Sequence, residues 1–476
     1  MRGWFDVSKQ GLGKLAERRG KRAVVFELLA NAWDADGATH VDVTLRSVEG
    51  RPLAELVVED DAPDGFHDVT HAYVLFAESA RKGDPRKRGR FNLGEKIVLA
   101  LCDRATLSTT RGTIEFRSDG TRRHRADRRV AGSRLEALVR LTRAELADVL
   151  DAVRRVIPPD DVETTLNGEV LRPRQPVRTF EAYLPTEIAD AEGVLRPTVR
   201  HTTVRLYDPA PGERPQVYEI GIPVVETADR WSCDVQQKIP LTLDRENVTP
   251  AFLRQLRIMV FNAAHTLLGP TDAAADWIRE ARGSVLADEA AVRHTIALQF
   301  GARRVIADPS DPEGTKLAVS RGYTVIPGDA LNADEWASVR RSGAALPAGQ
   351  VTPSPRPFAP DGRPLRLVEA PTPAQAAWAG YAADIGRVLV QKPVQVVLAE
   401  DPGWSHLAAY QPEPGRLYVN LARFSGVADR QATHRLLLHE YAHEARGDHL
   451  AEAYHAALAG LAARLPEAAR TTALPA

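Results

Sequence analysis

The sequence predicts an α+β protein of several domains. At about 100–200 residues per domain, its 476 residues exceed what one hydrophobic core organises. A composition of 44% hydrophobic and 26% charged residues is that of ordinary globular chains. Helical and strand periodicities alternate in blocks and do not separate into all-α and all-β stretches. The blocks divide into an α/β layered domain over residues 1–180, a strand-rich α/β domain over 181–285 and a small α/β unit over 286–345. A proline-rich linker, 346–364, then leads to an α+β domain over 365–476.

Composition also excludes several classes. A formal net charge of -1 gives no global basic field to support a nucleic-acid or membrane-surface partner. Two cysteines, Cys102 and Cys233, cannot build a disulfide framework or a multi-cysteine zinc site. The first residues lack the uninterrupted apolar core of a signal peptide, and no run of about eighteen apolar residues occurs anywhere. The expectation is a soluble, cytoplasmic protein.

The first block opens with a short amphipathic helix over Lys9 to Gly20, and a second helix runs from about Arg22 to Asp36-Gly37. This second helix places Glu27, Asn31 and Asp34 at i, i+4 and i+7. A carboxylate and an amide one turn apart can polarise a water and complete the shell of a hard cation; a solvated helix face looks the same. His40–Leu45 alternates with period two and reads as a strand, and Leu53–Glu59 gives another after the turn-like Glu49-Gly50-Arg51-Pro52. The second runs into Asp60-Asp61-Ala62-Pro63-Asp64-Gly65, where an acid at a strand end can face a ligand's exocyclic amine. Next comes a basic, glycine-bearing stretch with Lys82, Lys87 and Arg88, closing on Gly89, Gly94, Glu95 and Lys96. A glycine-rich loop entering a helix offers unpaired N–H groups to phosphates.

In this order and spacing, Glu27-Leu28-Leu29-Ala30-Asn31-Ala32-Trp33-Asp34, the Asp60/Asp61…Gly65 turn and Gly89…Gly94-Glu95-Lys96 resemble the GHKL ATPases. That superfamily holds gyrase, the large heat-shock chaperone, histidine kinases and mismatch-repair ATPases. The resemblance covers about residues 1–180 and implies a Bergerat α/β sandwich binding ATP and Mg²⁺. It implies Glu27 as the general base orienting water, Asn31 as the Mg²⁺ ligand and Asp34 as a support of the nucleotide pocket. Lys82, Gly89, Gly94 and Lys96 would belong to the phosphate-covering loop, and Ser133, after Gly132, would replace the family's threonine. The adenine-binding acid is Asp60 or Asp61; Asp61 fits the spacing to Gly65, and Asp60 is favoured because Val57-Val58-Glu59 leads directly into it. Two departures stand out: Ala62 or Pro63 replaces a glycine of the turn, and Asn92 replaces a glycine of the loop. Relatives of this kind often dimerise on ATP, so an ATP-dependent homodimer is a further expectation.

Thr142 to Ile157 reads as a helix with Thr142 as N-cap and Glu145 completing a capping box, and Asn167-Gly168 reads as a hairpin turn. Residues 181–285 resemble the transducer domain that follows many GHKL folds. Within it, Gln236-Gln237-Lys238 and Ile239-Pro240-Leu241-Thr242-Leu243-Asp244-Arg245 resemble loops whose cation reaches the γ-phosphate. Arg245 ranks above Lys238 for that role. In the small α/β unit, Asp308, Asp311 and Glu313 could bind a cation, but a helix-capping turn is favoured.

The last domain carries a second chemistry. Leu438-His439-Glu440-Tyr441-Ala442-His443 is an HExxH pattern, with imidazoles one helical turn apart that can share Zn²⁺ and a glutamate that can activate metal-bound water. His449 stands where metzincin proteases place a third histidine, but Arg446 occupies their glycine position, so Glu452 and His455 remain alternative third ligands. The stretch resembles a zinc metallopeptidase over residues 365–476, acting on a protein or peptide. Together the two halves read as a GHKL ATPase whose closure is coupled to a zinc peptidase-like domain. The alternative is a chaperone-like or DNA-associated clamp with a structural or inactive zinc site.

Overall fold

The computed structural model describes residues 11, 13–14, 20–65, 69–74, 84, 86–88, 94–190, 195–241, 248–309, 311–354, 363–445 and 452–471. The protein is a mixed α+β chain with several sheets. It forms two compact units, Met1–Ala263 and Ala264–Ala476. No described helix is long and apolar enough to cross a membrane.

The first unit begins with α1 (Arg22–Trp33), followed by β1 (His40–Ser47) and β2 (Leu53–Asp60). The helix α2 (Gly94–Leu101) leads into β3 (Cys102–Thr109), β4 (Gly112–Phe116), β5 (Arg122–Arg125) and β6 (Arg134–Arg140). Then come α3 (Arg143–Arg154), β7 (Glu163–Leu166) and β8 (Glu169–Val170). These strands make one eight-stranded sheet in the order β5-β4-β3-β6-β2-β1-β7-β8, antiparallel except for the β1–β7 pair. Along β1 burial alternates, so Val41, Val43 and Leu45 face a core shared with Val25, Leu29 and Trp33 of α1 and Val149 and Val153 of α3. That is the period-two pattern of a sheet with one covered face. Thr142 caps α3 with Glu145 in a reciprocal box, as the sequence predicts, and Asn167-Gly168 joins β7 to β8. The helix expected over Lys9 to Gly20 falls mostly outside the described residues.

A five-stranded sheet follows within the same unit. Its strands are β9 (Arg178–Ala189), β10 (Leu195–Tyr207), β11 (Gln216–Glu219), β12 (Ile222–Glu226) and β13 (Ser232–Val235), in the order β12-β11-β13-β10-β9. The helix α4 (Pro250–Ala264) comes after it. The expected boundary at 180/181 falls inside β9, the first strand of this sheet, and both sheets belong to one compact unit. One reason is direct bonding: Ile157 N–H donates to the Gly221 carbonyl at 2.9 Å, and Arg88 Nε donates to the Ile220 carbonyl at 2.9 Å. Both acceptors sit in the β11–β12 turn of the second sheet.

The second unit holds α5 (Asp276–Arg282), α6 (Glu289–Phe300), β14 (Arg304–Ile306), α7 (Pro312–Ser320), β15 (Thr324–Ile326) and α8 (Ala333–Ser342). Two short elements follow, β16 (Leu346–Pro347) and α9 (Ala348–Val351). The parallel sheet β15-β14-β16 is the expected small α/β unit. It extends past its predicted end at 345, because β16 pairs with β14 and Thr352 and Ser354 are buried. Proline content made 346–354 read as linker, yet this segment completes the sheet, and 355–362 lies outside the described residues. Asp311 accepts the Gly314 and Ser354 N–H groups, and Asp308 accepts the Gly349 N–H, so these acids serve as caps. The chain then forms α10 (Pro373–Val390), β17 (Gln395–Ala399), β18 (Ala408–Gln411), β19 (Arg416–Asn420), α11 (Arg430–Ala442) and α12 (Glu452–Thr471). The sheet order is β17-β19-β18, and its core is shared with α10, α11 and α12 through Trp378, Ile385, Leu417, Leu437, Tyr441 and Leu461.

Candidate functional site

β2 ends on Asp60, and the chain then turns tightly around Gly132-Ser133 at the start of β6. Asp60 N–H donates to the Ser133 carbonyl at 3.0 Å, and Gly132 N–H donates to the Ala62 carbonyl at 2.7 Å. Gly132 has φ +71, and a Cβ there would lie 1.8 Å from the Asp60 carbonyl oxygen, so only glycine fits. The turn holds the Asp60 carboxylate, whose Oδ1 accepts the N–H groups of Ala62 at 3.1 Å and Ser133 at 3.3 Å.

Asp60 is one wall of a cavity of about 70 Å³. Asn31 of α1, Gly65 and Ser133 add polar groups, while Leu28, Val58, Leu99, Leu107, Phe116 and Leu135 make the rest of the lining largely apolar. The enclosed space is smaller than the roughly 300 Å³ or more typical of a small-molecule site. Burial in this apolar setting pushes the Asp60 carboxyl up to about 6, against the two N–H groups that favour its charge. A buried carboxylate with lone pairs facing a largely apolar cavity is suited to accept from an N–H group of a ligand.

The neighbouring acid is turned elsewhere. Asp61 accepts from Thr39 N at 2.7 Å, Thr39 Oγ1 at 2.6 Å and His40 N at 2.9 Å, and these bonds hold its carboxyl below the usual range despite the opposing desolvation. Asp61 therefore ties the α1–β1 connection to the end of β2 and does not line the cavity. Asp34 likewise does not line this cavity. It follows the last turn of α1, where its carboxylate pairs with Arg88 at 2.8 Å and accepts Arg88 N–H at 2.7 Å. Arg88 also lies over the Trp33 ring, 4.9 Å from its centroid. Asp34 and Arg88 line a separate, wider cleft of about 730 Å³, together with Arg205, Ile220 and Asp234. Lys87 joins this cluster through Asp36 and the Asp34 carbonyl.

Glu27 sits half-buried one turn before Asn31 and is not among the residues that line the cavity. Gly94 and Lys96 fall in the first turn of α2, whose later residue Leu99 reaches the cavity. Lys238, expected near a phosphate, is fully buried beside the second sheet, where its carbonyl accepts from Thr186 at 2.7 Å. Lys82, Gly89 and Arg245 lie outside the described residues. Of the expected nucleotide residues, the structure brings together Asn31, Asp60, Gly65 and Ser133.

The HExxH residues sit at the end of α11. The His439 and His443 rings are 5.5 Å apart by centroid. Tyr454 of α12, itself buried, places its hydroxyl 3.0 Å from His439 Nδ1 and donates to the His439 carbonyl at 3.2 Å. Sequence reading missed Tyr454, whose only signal is its place on the helix after the motif. Glu440 is buried, and its Oε2 accepts the Tyr410 N–H of β18 at 3.1 Å. Desolvation pushes its carboxyl up to about 7. Such a group can exchange a proton near neutrality; the same bond also serves to cap a strand N–H.

Two imidazoles one helical turn apart are of the kind that can share a zinc ion, and the Tyr454 hydroxyl on Nδ1 orients the His439 ring. Among the described residues, however, no group of three or more His, Cys, Asp or Glu gathers as ligands. Glu452 and His455 are both exposed on α12, and His449 lies outside the described residues.

No family model matches the sequence, and no curated protein does. Among solved structures, the N-terminal domain of a DNA repair protein is similar over 52% of this chain and 93% of that chain, at 11% identity and a TM-score of 0.33. A likeness this slight bears on neither fold nor function.

Proposed function

We propose that the first unit is a Mg-ATP-binding ATPase of the GHKL type, with its eight-stranded sheet and helices as the Bergerat-like sandwich. The observation that carries this reading is the buried Asp60 carboxylate in an apolar cavity beside Asn31. Asp60 accepts from the adenine amine, Ser133 and Gly65 shape the same wall, and Asn31 is the residue to hold Mg²⁺. Glu27, one turn away on α1, orients the hydrolytic water, and the first turn of α2 with Gly94 and Lys96 receives phosphate. The cavity widens when the base enters. Calorimetric titration of the full chain with Mg-ATP tests this: micromolar binding lost in Asp60→Asn supports it, and equal binding by both proteins refutes it.

A second reading concerns the C-terminal residues, and the Tyr454–His439 contact favours it. Here His439 and His443 hold zinc, a third ligand comes from His449, Glu452 or His455, and Glu440 serves as base in a peptidase-like domain answering to nucleotide. A chaperone-like or DNA-associated clamp with a structural zinc site is the alternative. Casein or self-cleavage that disappears in Glu440→Gln supports the peptidase, whereas nucleotide-dependent client retention without cleavage supports the clamp.

A further inference from the structure

The eight-stranded sheet ends in an edge of unusual charge. Residues 111–129 contain seven arginines against Glu115, Asp119 and Asp127, in a chain whose overall charge is -1. The edge strand β5 is Arg122-Arg123-His124-Arg125, exposed at every position, and exposure continues through Arg128. Some of this charge is neutralised locally. Arg125 pairs with Glu115 at 2.9 Å and with Asp127, and Arg129 pairs with Glu59. Arg111, Arg122, Arg123 and Arg128 make no ion pair among the described residues.

Edge strands commonly carry a charge or two to block edge-to-edge pairing. Arg122 lies over Tyr73 on the face of cavity-lining Phe116, and Arg123 lies on the opposite face, across the ladder from Glu115, which offsets part of its charge. Arg111, Arg123 and Arg128 still leave more positive charge around a four-residue edge strand than that need requires. A row of phosphates would supply the missing anions. We propose that the β4–β5 edge is a docking surface for the phosphate backbone of duplex nucleic acid. A duplex fits better than a single strand, because single-strand sites stack bases on exposed aromatic rings. The rings here are engaged: Phe116 lines the cavity, and Tyr73 is covered by Arg122 at 4.0 Å and edged by His124 at 5.7 Å. Contacts of this kind carry no base information, so binding is independent of sequence. This inference does not depend on the nucleotide reading, although Arg122 pairs across the ladder with cavity-lining Phe116.

The test is fluorescence anisotropy of the full chain with labelled duplex DNA, duplex RNA and single-stranded DNA at stepped salt. Three phosphate contacts, from Arg111, Arg123 and Arg128, predict that doubling the salt from about 100 to about 200 mM weakens duplex binding about 6- to 7-fold. Arg123→Ala with Arg128→Ala should weaken binding at least about tenfold and lower the salt slope by about 2. The paired Arg→Lys variant should bind within about threefold of the parent, since backbone affinity follows the number of phosphates neutralised and a lysine carries the same charge. Both variants alter exposed side chains, and an unchanged melting temperature verifies folding. The two duplex arms decide between DNA and RNA. Absence of duplex binding at low salt, tighter binding to the single strand, unchanged binding by the alanine pair, or loss in the lysine pair would each overturn the proposal.

Discussion

Replacing Asp60 by asparagine should stabilise the free protein while removing its ligand. In the folded chain the Asp60 carboxyl titrates near 6 instead of 3.8, because burial penalises its charge. Its folded value lies above its unfolded value, so the penalty is absent below about pH 3.8, grows between 3.8 and 6, and is complete above about pH 6. The difference corresponds to about 3 kcal/mol at pH 8. Asparagine keeps an oxygen to accept from Ala62 and Ser133 and carries no charge, so the variant should recover about 1–3 kcal/mol of this. In a unit of this size that is a rise in melting temperature of roughly 2–10 °C. At pH 4 the two proteins should melt together. For nucleotide, loss of a charge-assisted bond predicts about 10- to 100-fold weaker Mg-ATP binding at pH 8. Thermal melts at both pH values, with calorimetric titration alongside, read both effects. A variant less stable than the parent at pH 8, or one that binds Mg-ATP equally well, would refute the reasoning.

Further outcomes follow from the same geometry. Glu27→Ala should retain Mg-ATP affinity and lose about 10²-fold or more in steady-state hydrolysis, the scale of a positioned general base; undiminished turnover would remove Glu27 from that role. Arg88→Ala breaks a nearly buried pair with Asp34 and should cost about 3–5 kcal/mol in denaturant unfolding; a loss under about 1 kcal/mol would contradict it. His439→Ala should abolish stoichiometric zinc by metal analysis, and Tyr454→Phe should weaken zinc about 10- to 100-fold in chelator competition. Equal zinc content in parent and His439→Ala would exclude this site.

The elements of the first sheet were legible because β1 alternates strictly, β2 is an apolar run bounded by turn residues, and α1 is a long apolar stretch. The location of Asp60 at a strand end was legible for the same reason. Spacing alone could not separate Asp60 from Asp61, since the distinction depends on Thr39 and His40 capturing the second carboxylate. Nor could helical periodicity place Asp34, whose partner Arg88 lies 54 residues on in a loop. β5 carries no apolar residue, so its arginines gave no strand signal until β4 paired with it. Proline hid β16, and the short β18, which has no β-branched residue, hid the N–H that Glu440 captures.

The most direct test of the nucleotide site is a crystal structure of the full chain with Mg²⁺ and a non-hydrolysable ATP analogue. The adenine amine should lie within hydrogen-bond distance of the Asp60 carboxylate, with the metal beside Asn31. Nucleotide seated in the wider cleft at Asp34 and Arg88, or none bound with Asp60 still enclosed, would contradict this placement.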